Sequence, residues 1–467
     1  MNILPDEDLP FDASMLDRLA MIAIRVGLNL QPGEDLIITG PVEALPLIRR
    51  ISAEAYKNEA GVVSTILSDD ELQLTRYEHA TDESLDRAPD WMFKAMGEAY
   101  NDNTARLAVS AANPLLLAEQ DPARVARAGK SMSMAAKPAM EPITNFVTNW
   151  NIVSYPGLAW AKQVFPDKSD EEAVAALAEA IFSISRVDND DPIAAWKEHQ
   201  ATLTARQTWM NEQNFHSLHY TAPGTDLMLG LADGHAWKGG ASTSRNGITC
   251  TPNIPTEEVF TTPHADRVNG TVRASKPLVH RGTLIDGIEV RFEEGKIVEA
   301  KADIGEEVFL QLIDTDEGAR KLGEVALVPH SSPISASGLL FYNTLYDENA
   351  SCHIALGQCY SKCFKGDIGK DPEAVVAAGG NSSNIHVDWM IGSGELDIDG
   401  ITQDGERVPV MRNGEWDENY GMCAVPIDCP FEADSQLIYT ECSMWSWTMY
   451  QWSGDYLYTG MPSDGWM

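Results

Sequence analysis

Apolar residues recur at helical spacing in SMLDRLAMIAIRVGLNL near the amino terminus, which predicts an amphipathic helix. PGEDLIITG then reads as a turn and a short buried strand, PVEALPLIRRISAEAYKNEA as a second helix, and GVVSTILSDD as a β-branched run ending in acids. Strand, helix and strand in that order predict a parallel α/β layer. EEAVAALAEAIFSIS and DPIAAWKEHQATLTARQTWM continue the helical pattern to residue 210. Beyond about residue 220 the texture changes to short β-like runs split by Gly, Asn, Asp and Pro, among them TDLMLGLADG, GIEVRFEEGKIVEAKA and GEVALVP. VRFEEGKIVEA predicts a hairpin with Gly295 in its turn.

The expected organisation is an α/β protein: an N-terminal α/β domain on a parallel sheet over residues 1–235, a C-terminal mixed α/β domain over 236–416, and an acidic extension over 417–467. The extension stands apart by composition. After Arg412 there is no Lys or Arg, while Trp445, Trp447, Trp452 and Trp466 crowd together with tyrosines and three of the seven cysteines. It reads as a disordered extension or, because Trp and Tyr are enriched in interfaces, as a docking surface.

With 70 acids against 34 Lys and Arg, the formal net charge of −36 would repel a phosphate backbone, so nucleic acid is not an expected partner. No apolar run reaches the length needed to cross a bilayer, and MNILPDEDLPFD lacks the basic and apolar regions of a secretory signal. The expected location is the cytoplasm. The scattered cysteines form no CxxC pair and no zinc-finger spacing, so reduced thiols are expected. Nucleotide binding is disfavoured as well: the turn after DLIIT lacks GxGxxG, and Arg124 stands where a phosphate loop ending in Gly129, Lys130 and Ser131 needs its first glycine. HSSPISASG provides no serine-hydrolase elbow, and DIDGITQDG fails the EF-hand spacing.

The remaining candidate chemistry lies in the second half. In YDENASCHIALGQCY the apolar run reads as a helix, which would project His353 and Tyr360 from one face, since seven residues are close to two turns. In NIHVDWMIG a strand would turn His386 and Asp388 one way and Ile385 and Val387 the other, a pairing that suits a divalent metal. Glu258 in NIPTEEVFTTP and Glu324 in KLGEVALVP sit at the rims of apolar runs, where an acid is costly unless something positive meets it. Glu257 is an equally available acid beside Glu258. Oxygen and imidazole donors together favour zinc, cobalt, manganese or a similar ion.

NIPTEEVFTTP, LGEVALVP, GLLFYNTLYDENASCHIALGQCY, NIHVDWMIGS, DIDGITQDGERVPVMRNGEW and, upstream, NWNIVSYPGLAWAKQVFP together resemble the thermophilic-type metalloaminopeptidases of the M29 peptidase family. The resemblance runs from the N-terminal helix to Trp416 and leaves 417–467 unaccounted for. It implies a cytoplasmic homodimer whose C-terminal domain holds two divalent ions, cobalt, zinc or magnesium, and which removes N-terminal residues from peptides. Carried over motif by motif, the implied ligands are Glu258, Glu324, His353, Tyr360, His386 and Asp388, with Glu348 close enough to join or orient them. Glu258 or Glu324 is then the expected proton carrier, and Tyr360 a ligand or hydrogen-bonding group at the reacting centre. The rival reading, a silent peptide-binding scaffold that keeps the fold, is disfavoured because every implied ligand position holds the expected residue type.

Overall fold

Residues 8–417, apart from 112, 114, 281 and 282, are described by a computed structural model, and residues 8–416 lie within one compact unit. The Trp-rich segment and its three cysteines fall outside the described residues.

The N-terminal half forms as its pattern predicts. The first helix, Ser14–Ile22, buries Leu16, Leu19, Ala20 and Ile22 and continues as a wider turn over Ala23–Leu28 that Asn29 ends in the left-handed conformation. Four parallel strands follow, in the spatial order Val63–Ser68, Leu36–Pro41, Ala105–Ser110 and Trp150–Ser154. Helices Leu45–Lys57 and Asp170–Ile184 pack on this layer, the latter opened by a reciprocal cap between Ser169 and Glu172.

The second half is antiparallel. An eight-stranded sheet runs Lys296–Lys301, Glu289–Glu293, Pro263–Arg273, Thr225–Leu231, Ser217–Ala222, Asp397–Ile401, Arg407–Arg412 and Glu415–Trp416. The expected hairpin at Gly295 is present, with that glycine at φ +82°. A five-stranded sheet runs His386–Met390, His353–Gly357, Leu322–Leu327, Val259–Thr261 and Lys238–Gly239.

Each half has its own hydrophobic core, and the helix Pro192–Gln213 bridges them: Trp196 belongs to the first, Leu203 and Met210 to the second. One segment of the second half returns to the first core. Ile334, Phe341, Tyr346 and Ala350 are buried there; Trp160 donates its indole N–H to the Phe341 carbonyl at 2.5 Å, and Tyr346 stacks on Phe341 at 4.9 Å. This anchors the DEN segment, Asp347 to Asn349, between the halves.

One expectation fails. The run around His353 is a strand, His353–Gly357, and not a helix. Its apolar stretch is too short to nucleate a helix unaided, and strands on both sides complete its hydrogen bonds. Gly357, at φ +103° and pressed against the Ile385 carbonyl, could not be helical in any case.

Among the described residues no helix is long and apolar enough to cross a membrane. Cys250, Cys352, Cys359 and Cys363 are free and buried.

Candidate metal centre

In an antiparallel pair, residues directly opposite share a face of the sheet and successive residues alternate. Phe260 pairs with Ala326, Ala326 with His353, Glu324 with Ala355, Ala355 with Asp388, and Gly357 with His386. These residues therefore line one face of the five-stranded sheet. Glu258, two residues before Phe260, projects to the same side. The opposite face carries Val259, Val325, Leu327, Ile354, Leu356 and Trp389, all buried in the second core. Burial of the apolar set fixes the direction of the polar set.

A β-bulge completes the arrangement. Leu322 pairs with Leu356, but Glu324 pairs with Ala355, so Gly323 is an extra residue in its strand. Were the strand regular through Gly323, Leu322 and Glu324 would share a face, and either the leucine would leave the core or the acid would enter it. A side chain at Gly323 would meet the carbonyl oxygens of Gly357 and Gln358 at 2.3 and 2.4 Å.

The ligand atoms gather in two groups that share Glu324: Glu258, Glu324 and His353, and Glu324, His386 and Asp388, with all atoms of a group within 4.8 Å of one another. Nε2 of His353 is 3.3 Å from Glu258 Oε2; Nε2 of His386 is 3.4 Å from both Glu324 Oε2 and Asp388 Oδ1. The other ring nitrogens face backbone carbonyls, His353 Nδ1 that of Ser351 at 3.2 Å and His386 Nδ1 that of Gln358 at 2.7 Å. A carbonyl can only accept, so each Nδ1 carries the proton and a neutral ring turns its Nε2 lone pair toward the carboxylates. Lone pair against carboxylate is repulsive unless a proton or metal cation lies between them.

Electrostatics point the same way. Burial lowers the His353 pKa, but the hydrogen bond to Glu258 and the charges of Glu258, Asp388 and Glu324 outweigh it and bring it to about 10. Burial also opposes charging of His386, and the hydrogen bonds to Asp388 and Glu324 reverse this, raising it to about 12. Burial drives the carboxyl of Glu324 upward, His386 opposes the rise, and Asp388 and Glu258 add to it. Asp388 is pushed up by burial but held below the usual range by His386. Glu324 Oε2 is buried, and the approach of His386 Nε2 to it is long, at 3.4 Å. A site whose imidazoles hold protons this tightly, and whose buried carboxylates crowd together, fits divalent cations.

The two remaining candidates lie beside these groups. Glu348 is driven well above the carboxylate range by burial first and then by Glu258 and Asp388. Tyr360 follows the strand rather than sharing a helix face with His353; it is 41% exposed, with its ring 4.8 Å from that of His386. Burial and the charges of Glu324, Asp388, Glu348 and Glu258 push its phenol upward.

Glu257 and Glu258, interchangeable on the page of the sequence, diverge. Glu258 faces His353, whereas Glu257 forms a fork with Arg186, at 2.7 Å to Oε1 and 3.0 Å to Oε2. The backbone N–H of Glu257 donates to Asn349 Oδ1 at 2.7 Å, and the Thr256 carbonyl meets His199 Nε2 at 2.7 Å. Arg186, His199 and Asn349 thus hold the backbone on which Glu258 sits. Sequence reasoning missed all three, and Gly323 with them; a glycine inside an apolar strand pattern was the one available signal.

A family model described as thermophilic metalloprotease (M29) matches residues 12–416. The chain is 51% identical to aminopeptidase T of Thermus thermophilus, over 86% of this chain and 98% of that one, and 46% identical to aminopeptidase 2 of Geobacillus stearothermophilus, over 86% and 97%. The solved structure of wild-type AmpT from Thermus thermophilus superposes with a TM-score of 0.82 at 50% identity, covering 86% of this chain and 99% of that one.

Proposed function

The chain belongs to the thermophilic metalloprotease family M29, and we propose that it is an aminopeptidase that removes N-terminal residues from peptides with two divalent ions at the face bearing Glu324. The observation that carries this reading is the pair of donor groups sharing Glu324, with two imidazole Nε2 atoms turned toward carboxylates. One ion would sit among Glu258, Glu324 and His353, the other among Glu324, His386 and Asp388, with Glu324 common to both. Cobalt, zinc and magnesium all accept such donors. Ions in that position supply Lewis acidity toward the scissile carbonyl and lower the pKa of water.

The chain's own groups do the rest. The carbonyls of Ser351 and Gln358 keep both imidazoles in the tautomer that offers Nε2. Glu258 and Glu324 would hold the ions, and Glu348, which shares their field without belonging to either group, is the carboxylate left to take a proton and return it to the departing amine. Acids on this face also attract the free α-ammonium of a peptide, which an endopeptidase does not require. Tyr360 borders the site and hydrogen-bonds or ligates from its rim. The silent-scaffold alternative has nothing in its favour among the relatives, which carry aminopeptidase names.

The test is hydrolysis of leucine p-nitroanilide. Chelator should abolish it, Co²⁺ or Zn²⁺ should restore it, and N-acetylated peptides should resist cleavage; full hydrolysis in excess chelator would sink the proposal. On the family resemblance the enzyme is further proposed to be a cytoplasmic homodimer, which light scattering on the purified protein would check.

A further inference from the structure

The face that bears the acids also bears an unbalanced positive end. Lys362 Nζ stands 4.8 Å from the ring centroid of Phe146, 5.1 Å from that of Phe260 and 5.5 Å from that of Tyr360. Among the described residues it has no carboxylate partner and no hydrogen-bond acceptor. Ring faces attract an ammonium and hold it in place, but they do not use up its three N–H donors. Lys238, directly opposite Phe260 across the neighbouring edge strand, projects to the same side and likewise lacks an ion pair among the described residues. Phe260 ties the two together, since its ring lies 5.1 Å from Lys362 Nζ and its backbone pairs with Lys238.

Tyr360 borders both this point and the metal centre. Its ring centroid is 4.8 Å from that of His386 and 5.5 Å from Lys362 Nζ. The spacer is therefore one aromatic side chain, comparable with the roughly 3.5 Å that one extended residue spans plus the reach of its terminal group. Across this distance the charge changes sign, from Glu258, Glu324, Glu348 and Asp388 to two lysines. A short peptide with a free amine at one end and a carboxylate at the other is complementary to that gradient.

Resting on the aminopeptidase reading above, we propose that Lys362, backed by Lys238, forms a subsite for a carboxylate on the residue that follows the scissile bond. Two sources offer that group: the α-carboxylate of a dipeptide, and an acidic side chain at that residue in a longer peptide. Phe146, Phe260 and Tyr360 fix the ammonium so that little side-chain entropy is lost when the anion arrives.

The experiment compares kcat/KM for Leu-Gly, Leu-Gly amide and Leu-Asp amide in the wild-type enzyme, Lys362→Gln and Lys362→Arg. Wild type should favour Leu-Gly over its amide by about tenfold, the scale of one charge-assisted hydrogen bond. Lys362→Gln should bring that ratio close to one, and Lys362→Arg should keep most of it. A Lys362-dependent preference for Leu-Asp amide over Leu-Gly amide assigns the side-chain source; its absence assigns the α-carboxylate alone. A wild-type enzyme that favours neither carboxylate overturns the subsite without any variant, as does a Gln variant that keeps the wild-type ratios. Chelator-sensitive turnover of Leu-Gly amide reports separately on the aminopeptidase reading, so either can fail alone.

Discussion

Leu322 and Glu324 lie two residues apart in one strand yet face opposite sides of the sheet, because Gly323 between them is bulged. The leucine fills the second core and the acid is shared by both donor groups. Fold and site thus depend on one extra residue with no side chain.

Gly323→Ala tests that dependence. Its methyl group would need space now held by two backbone carbonyls at 2.3 and 2.4 Å, and backbone cannot rotate away as a side chain can. The variant should lose about 2–3 kcal/mol in urea unfolding and bind metal substoichiometrically. An unchanged midpoint with full metal content would show that the bulge tolerates a Cβ.

His386→Ala removes a donor from one group and leaves the other intact. Metal analysis of the purified variant should find less bound ion than in wild type, and peptidase activity should fall by more than about 100-fold. Full metal occupancy in this variant would mean that the ligand assignment is wrong.

Arg186→Leu should be destabilising out of proportion to its distance from the reacting groups. Glu257 is buried and the arginine largely enclosed, with side chains 5% and 14% exposed, so deleting the arginine leaves the acid with only the longer 3.6 Å approach of His199 at a cost of up to about 3 kcal/mol. The double variant Arg186→Leu, Glu257→Leu should recover much of that loss. Equal stability of the single variant and wild type in chemical denaturation would count against the pairing.

Acid sensitivity should depend in part on His235. Burial holds its pKa down to about 4, and its Nδ1–H donates to the Ala232 carbonyl at 2.9 Å while Nε2 is buried without a partner. Unfolded, the ring titrates near 6.5. Between those values the unfolded chain binds more protons, so stability rises with pH. His235 contributes fully above about pH 6.5 and loses up to about 3 kcal/mol as pH falls toward 4. His235→Gln should flatten this part of the stability–pH curve, and urea titrations at pH 7.5 and pH 5 would reveal it; an equally steep curve in the variant would refute the assignment.

Much of this was readable from pattern alone. The alternation in NIHVDWM turned His386 and Asp388 to one face, and the strand His386–Met390 keeps that geometry. The change from helical to strand texture along the chain matches a parallel layer followed by antiparallel sheets. The run around His353 misled because three or four apolar residues satisfy either period; pairing with both neighbouring strands decided it, and pairing partners are remote in sequence.

By itself, then, the sequence determined which donor types this protein possesses and, in the strand that carries His386 and Asp388, the side on which they stand, since periodicity is a property of neighbours along the chain. Tertiary structure alone decided that Glu258 rather than Glu257 meets His353, that Gly323 turns Glu324 out of the core, and that Lys362 comes to rest among Phe146, Phe260 and Tyr360. Those outcomes follow from burial of the opposite sheet face and from contacts between segments far apart in the chain, which no local pattern encodes.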